Sequence, residues 1–280
     1  VGVRGCSVPG SYNSRLLVLV DGFRVNESVY DSAYVDNVSH IDVDLIERVE
    51  YVPGPGSAIY GSSAFFGVVN IITRQGQSVG GYESAAAVGS GGLREARVTQ
   101  GQRTRDGLDV LVSASAQHSN GYDVRFPDFA AVANNGVAEN LDGEHNKRFF
   151  ARVGKEGLSF ETAYVSRTKA IPTAAFGQDF NAAGAFTRDE QWFMNLRHEK
   201  KLSGTLQLVS TVYLGHYNYF GQYMYQSTLG TNNHDYTGSN WWGGEFRLLS
   251  TAFDRHKLVM GLEYRDDFRR KQLNYDVSPY

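Results

Sequence analysis

Cysteine is almost absent from this 280-residue chain, with Cys6 the only one. A lone thiol excludes an internal disulfide framework and a cysteine-rich metal site, and Cys6 reads as structural. Proline is scarce, six against 31 glycines, which suits strands and turns. No run of about 18 apolar residues occurs, so no segment reads as a membrane-spanning helix. The net charge of −3 shows no excess of one sign, and basic residues are interspersed with acidic ones, so no nucleic-acid stripe is present. Nucleophile–base arrangements, a phosphate loop and a dinucleotide fingerprint are missing; Gly89-Ser90-Gly91-Gly92 lacks a following Lys-Ser/Thr and reads as a hairpin turn. The seven histidines show no metal-ligand spacing; His216 and His234 could meet in space near the fourth loop and touch a haem or metal complex, though such histidines are more often solvated. An enzyme is therefore the least supported class, with no catalytic residue, metal ligand or cofactor expected.

Aromatics, by contrast, are plentiful, with 17 Tyr and 16 Phe. The mean hydropathy of −0.36 would ordinarily suggest a soluble protein. A β-barrel in lipid escapes that inference, because only alternate residues meet the bilayer and the lumen stays polar. From about Gly80 the chain has that rhythm. Leu206, Leu208, Val212 and Leu214 alternate with Gln207, Thr211, Tyr213 and Gly215, and Leu258, Met260, Leu262 and Tyr264 alternate with Val259, Gly261, Glu263 and Arg265. Period two with charges on one side means one apolar wall and one wet wall.

Strands are expected near 80–90, 93–103, 108–118, 145–154, 158–168, 188–200, 205–220, 240–252 and 257–275. Short turns at 104–107, 155–157, 201–204 and 253–256 take turns with long polar segments at 119–144, 169–187 and 221–239. Short turns at one end and long loops at the other is the asymmetry of bacterial barrels, and a sandwich has no reason for it. The short connection at 90–92 departs mildly from the rule.

The N-terminal stretch reads differently. Leu16–Val20 is a continuous apolar run stopped by Asp21-Gly22, hence a strand covered on both faces and then a tight hairpin. Asp44-Leu45-Ile46-Glu47 fits a capping pattern for a short helical turn leading into Val49–Val52. Ser57–Tyr60 can form one turn stopped by Gly61, and Val68–Ile72 is a last buried strand.

The run from Ile46 to Arg74, containing Val52-Pro53-Gly54-Pro55-Gly56-Ser57-Ala58-Ile59-Tyr60-Gly61 and Val68-Val69-Asn70-Ile71-Ile72-Thr73-Arg74, resembles the signature that closes the plug domain of TonB-dependent outer-membrane receptors. Val3-Arg4-Gly5 and Leu16 to Asn26 resemble the earlier plug pattern. The resemblance implies an α+β plug domain over residues 1–76, followed over 77–280 by the first nine or so antiparallel strands of a transmembrane β-barrel that closes with about 22. It implies a fragment: signal peptide, TonB-contacting segment, the first half of the plug and roughly thirteen strands would lie elsewhere.

The function implied is TonB-dependent import of a scarce solute across the bacterial outer membrane. An iron–siderophore complex is the commonest cargo class, with cobalamin, haem and oligosaccharide open, as is a surface receptor without transport. The implied partners are TonB, a small-molecule or metal-chelate ligand and outer-membrane lipid, with no nucleic acid. Ligand-contacting plug apices would fall at 11–15 and 26–34, carrying Tyr12, Asn13, Arg15, Tyr30 and Tyr34, groups that stack and hydrogen-bond. Arg4 stands where the family has a plug arginine that pairs with barrel carboxylates. Pro53 replaces the arginine that usually precedes the Gly-Pro, leaving Arg48 or Arg74 as substitutes, with surface pairing expected for both and the barrel partners expected in the missing half. Tyr217, Tyr219, Phe220, Tyr223 and Tyr225 read as an interfacial girdle, the alternative being an extracellular ligand surface.

Overall fold

The structure, a computed structural model, describes residues 14–33, 39–225, 227, 230–253 and 255–277. An N-terminal four-stranded sheet has the order β2-β1-β4-β3. It is built from β1 (Leu16–Val20), β2 (Phe23–Arg24), β3 (Ile46–Pro53) and β4 (Gly67–Thr73). β1 runs parallel to β4 and all five of its residues are buried, as a strand covered on both faces must be. Asp21 (φ 49°) and Gly22 (φ 84°) form the two-residue turn into β2, both left-handed as such a hairpin requires. The helical turn before β3 falls at Val43–Leu45, capped by the Asp42 side chain on the Asp44 amide, so it ends where β3 begins. α1 (Ser57–Tyr60) stops at Gly61 (φ 76°). α2 (Gly76–Val79), a turn not foreseen in the sequence, leads out of this unit.

The second sheet has nine antiparallel strands, each paired with its neighbours along the chain. They are β5 (Gly81–Val88), β6 (Arg94–Arg103), β7 (Asp109–Ser119), β10 (Glu144–Lys155), β11 (Leu158–Ala170), β12 (Phe186–Lys201), β13 (Leu206–Tyr225), β14 (Thr231–Phe253) and β15 (His256–Val277). A small hairpin, β8 (Val124–Arg125) and β9 (Val137–Ala138), stands in the connection between β7 and β10. All nine expected strands are present. One expectation fails: 221–239 is no long loop. β13 and β14 stay paired from Leu206↔Ser250 up to Tyr225↔Thr231. Twenty residues at about 3.3 Å each far exceed a bilayer's apolar thickness, so this hairpin projects beyond the membrane, where neither face needs to be apolar.

The alternation sorts the two faces. Inward residues of the large sheet (Leu111, Phe150, Ala163, Phe193, Tyr213, Tyr217 and Trp241) form one buried cluster with Val18, Val20, Phe23 and Ile71 of the small sheet and Ile41 of the loop after β2. The small sheet thus plugs the concave side of the large one. Outward residues include an exposed cross-strand row, Met194, Leu214 and Trp242, flanked by Phe149, Val212, Phe246, Met260 and Leu262. Apolar surface this extensive facing outward is a lipid-facing wall. Glycine shapes the inner face where aromatics cross it. A Cβ at Gly215 would lie 2.1 Å from the ring of Trp241, its direct cross-strand partner.

Candidate functional site

The ionic contacts that hold the plug against the wall sit on inward positions of β5, β6 and β10. At the end with the short turns, Asp21 accepts hydrogen bonds from the Thr73 amide (3.0 Å) and hydroxyl (2.5 Å). Arg152 of β10 reaches Asp21 at 3.5 Å and Glu161 of β11 at 3.4 Å, all three side chains largely buried. Burial raises the pKa of Asp21, while the Arg152 charge and the Thr73 hydrogen bonds pull it back. Beside this, Arg74 donates to both carboxylate oxygens of Glu83 on β5 (2.9 and 2.7 Å), and Arg97 of β6 pairs with Asp44 at 2.7 Å.

The polarity of this latch differs from the expectation. Two of its three arms carry arginine on the barrel and carboxylate on the plug. Arg74, expected to pair at the surface, instead reaches the first barrel strand. Its partner and those of Asp21 and Asp44 lie in these first strands, not in a later part of the barrel. Arg48 does remain at the surface, between Glu47 and Glu50. Arg4 lies outside the described residues. Sequence reading missed Asp21, Asp44, Arg97, Arg152 and Glu161. The only available signal was a charge on the inward parity of a strand.

Nearer the long-loop end, Arg148 donates to the Ser39 carbonyl (3.0 Å) and Gln191 to the Val25 carbonyl (2.7 Å). His40 packs edge-on to Phe193 and is buried, which together with the nearby Arg148 charge pushes its pKa down to about 3. Its Nε2 has no partner among the described residues.

Of the expected ligand apices, Tyr12, Asn13 and Tyr34 lie outside the described residues. Arg15 is exposed at the start of β1, its guanidinium 5.9 Å from the Phe66 ring centroid. Tyr30 lies half-buried in the loop after β2, which the Glu27 carboxylate shapes by accepting from the amides of Val29, Tyr30 and Ser32. The Tyr30 hydroxyl meets Thr237 Oγ1 of β14 (3.1 Å) and accepts from Gln272 of β15 (2.6 Å). This apex therefore touches the wall.

Most of the aromatic group on β13 is no girdle. Tyr217, Tyr219, Tyr223 and Tyr225 share the inward parity of Tyr213, and only Phe220 faces out. Tyr217 donates to Asp189, and the hydroxyls of Tyr219 and Tyr223 are 2.6 Å apart. Tyr225 donates to the carbonyl of Phe176, an exposed residue held at φ 56° whose ring stands edge-on to Tyr223. The two long connections pack on each other, with Phe129 stacked on Phe180 at 4.6 Å. His216 bonds Asn240 and His234 bonds Gln222, so the two histidines do not come together. No trio of His, Cys, Asp or Glu among the described residues is placed to hold a metal.

The profile of the TonB-dependent receptor plug domain matches residues 1–68, the segment whose described part fills the concave sheet. The N-terminal part of the chain is thus a TonB-dependent receptor plug domain, and the chain resembles TonB-dependent receptors. It is 32% identical over 121 residues to a vitamin B12 transporter, BtuB, of Vibrio vulnificus, covering 43% of this chain and 19% of that protein. In fold it resembles the ferric-catecholate import receptor Fiu of E. coli (TM-score 0.66, 17% identity, 96% of this chain and 44% of that one). It also resembles the ferric citrate transporter FecA (TM-score 0.67, 13% identity, 95% and 40%). The ferric yersiniabactin receptor FyuA of Yersinia pestis is similar too (TM-score 0.64, 16% identity, 98% and 42%). The chain spans less than half the length of each of these proteins. An outer-membrane location, that of the TonB-dependent receptors it resembles, agrees with the lipid-facing wall.

Proposed function

We propose that this receptor imports a scarce metal chelate, with an iron–siderophore complex as the cargo. In this reading residues 1–76 are plug and 77–280 barrel, and TonB is the partner that drives the plug aside. The observation that carries it is a folded plug held in a lipid-facing wall by a few discrete polar ties, Arg74–Glu83, Arg97–Asp44 and Arg152–Asp21. A passive pore needs no such closure. Cargo would be captured at the long-loop end, where Arg15, Tyr30 and the inward tyrosines Tyr219 and Tyr223 offer charge, hydroxyls and rings. Iron chelates are named for three of the similar structures, and cobalamin for the relative at 32% identity, so cobalamin is the second reading.

Equilibrium binding to the full-length receptor decides between them. Tight binding of one ferric siderophore, weakened by Tyr30→Ala, is the expected outcome. Tight binding of cobalamin alone moves the cargo to the second reading, and binding of none of the ferric siderophores, cobalamin, haem or oligosaccharides overturns the importer.

A further inference from the structure

The plug does not fill the space beside the short-turn half of β12–β15. A cavity of about 290 Å³ remains between them. Its wall side carries Asn195, Arg197, Thr211, Tyr213, Glu245 and Glu263, all on inward positions. Most of these groups are already satisfied. Arg197 pairs with Glu199 (2.6 Å), Arg247 with Glu245 (2.6 Å), and the Tyr213 hydroxyl donates to Glu263 (3.0 Å). Among the described residues the exceptions are Arg197 Nε, which has no hydrogen-bond partner of its own, and Asn195. Asn195 is only 4% exposed and lines the cavity, yet its amide oxygen has no partner among the described residues. A desolvated acceptor left open is unfavourable unless something polar visits it.

Arg24 braces the plug side of the cavity. Arg24 donates to the Ser62 hydroxyl (2.6 Å), the Ser62 carbonyl (2.9 Å) and the Tyr60 carbonyl (3.1 Å), tying β2 to the turn after α1. Gly22 and Gly61, both left-handed, bring the backbone close: a Cβ at Gly22 would lie 3.3 Å from Arg197 Nη1. A second cavity of about 530 Å³ lies towards the long-loop end of the β6, β7 and β10 wall, against Ile41, Val49 and Ile71. It stays in the long-loop half and presents the plug's apolar face. The first cavity reaches the short-turn half, where a solute must leave, and its charges balance.

We infer that the solute leaves along the β12–β14 wall, through this cavity, and that Asn195 is a polar station on that path, with Arg24 as the tie that must release. The inference rests on the importer reading above. The class of passenger is a hydrophilic solute of either charge that can donate a hydrogen bond to an amide oxygen. The charges lining the cavity balance, so no net charge traps the solute, as a transit site requires.

The test uses the full-length receptor in cells, with one labelled ferric siderophore, reading surface binding and initial TonB-dependent uptake separately. Thr211→Trp places an indole in the cavity. It is expected to cut uptake by about tenfold or more with binding unchanged. Val212→Trp, on the lipid face of the same strand, and Gln117→Trp, in the other cavity, are expected to leave uptake intact. Uptake that survives Thr211→Trp, or is blocked by Gln117→Trp instead, overturns the inference. Should Thr211→Trp fail to assemble, Asn195→Leu takes its place, with uptake slowed, binding unchanged, and an unaltered rate as the contrary result. An unsubstituted receptor that takes up nothing in a TonB-dependent way overturns the importer reading itself, whereas transport through the Thr211→Trp receptor overturns only the path.

Discussion

Arg74 closes the plug signature, and its guanidinium grips both oxygens of Glu83, nine residues on in the first barrel strand. The covalent junction between plug and barrel is thereby also an ionic one, bridging the α2 turn. Bidentate pairing of this kind gives direction as well as energy. Both partners are partly exposed, which limits its worth. Arg74→Ala is expected to lower receptor stability by about 1 kcal/mol, and Glu83→Gln to add little in the same background. Thermal unfolding of the two single variants and the double variant in detergent checks this.

Arg152 is the more costly residue to lose. It alone faces both Asp21 and Glu161, and those carboxylates are nearly inaccessible to solvent. Arg152→Met would leave buried Asp21 without its ion-pair partner and Glu161 with only the Arg197 charge, and a loss of about 3 kcal/mol is expected. Arg48→Ala, which disrupts only an exposed pair, should stay within about 0.5 kcal/mol of wild type. The same unfolding experiment ranks them.

Acid should loosen the plug through His40. Unfolded, a histidine takes up its proton near pH 6.5; folded, His40 resists until about 3. Because the native pKa is depressed, its contribution is whole above pH 6.5 and is lost as pH falls towards 3, on the order of 5 kcal/mol in full. His40→Phe, facing Phe193, should remove that share of the acid sensitivity. Stability measured against pH for wild type and variant gives the difference.

Gly215→Val should disturb the inner wall without touching any charge. Its Cβ would meet the Trp241 ring, which packs in the core with Phe23 and Tyr213 and lies under Arg265. Displacing that ring should cost about 1–3 kcal/mol and quench or shift its fluorescence.

Much of this was legible before any coordinates. The strands of the wall follow from alternation, because lipid on one side and a wet lumen on the other write period two into the chain. The signal fades where lipid ends. Asn232, Asn233, His234 and Gly238 have the composition of a loop, yet they extend β14, since an ordered hairpin beyond the membrane has no apolar face to reveal it. The inward placing of Tyr217, Tyr219, Tyr223 and Tyr225 was available from parity with Tyr213, but their nearness to a strand end suggested a girdle. The latch was the least legible part. Asp21 reads as a turn residue, and only the three-dimensional pairing of β1 with β4, 52 residues away, sets it beside Thr73 and Arg152.

The most direct measurement is uptake of labelled ferric siderophores, cobalamin and haem by cells carrying the full-length receptor, with TonB present or deleted. Uptake of one ferric siderophore that vanishes without TonB is the predicted result. Binding with no TonB-dependent uptake of any solute, or leakage of many small solutes regardless of TonB, would contradict it.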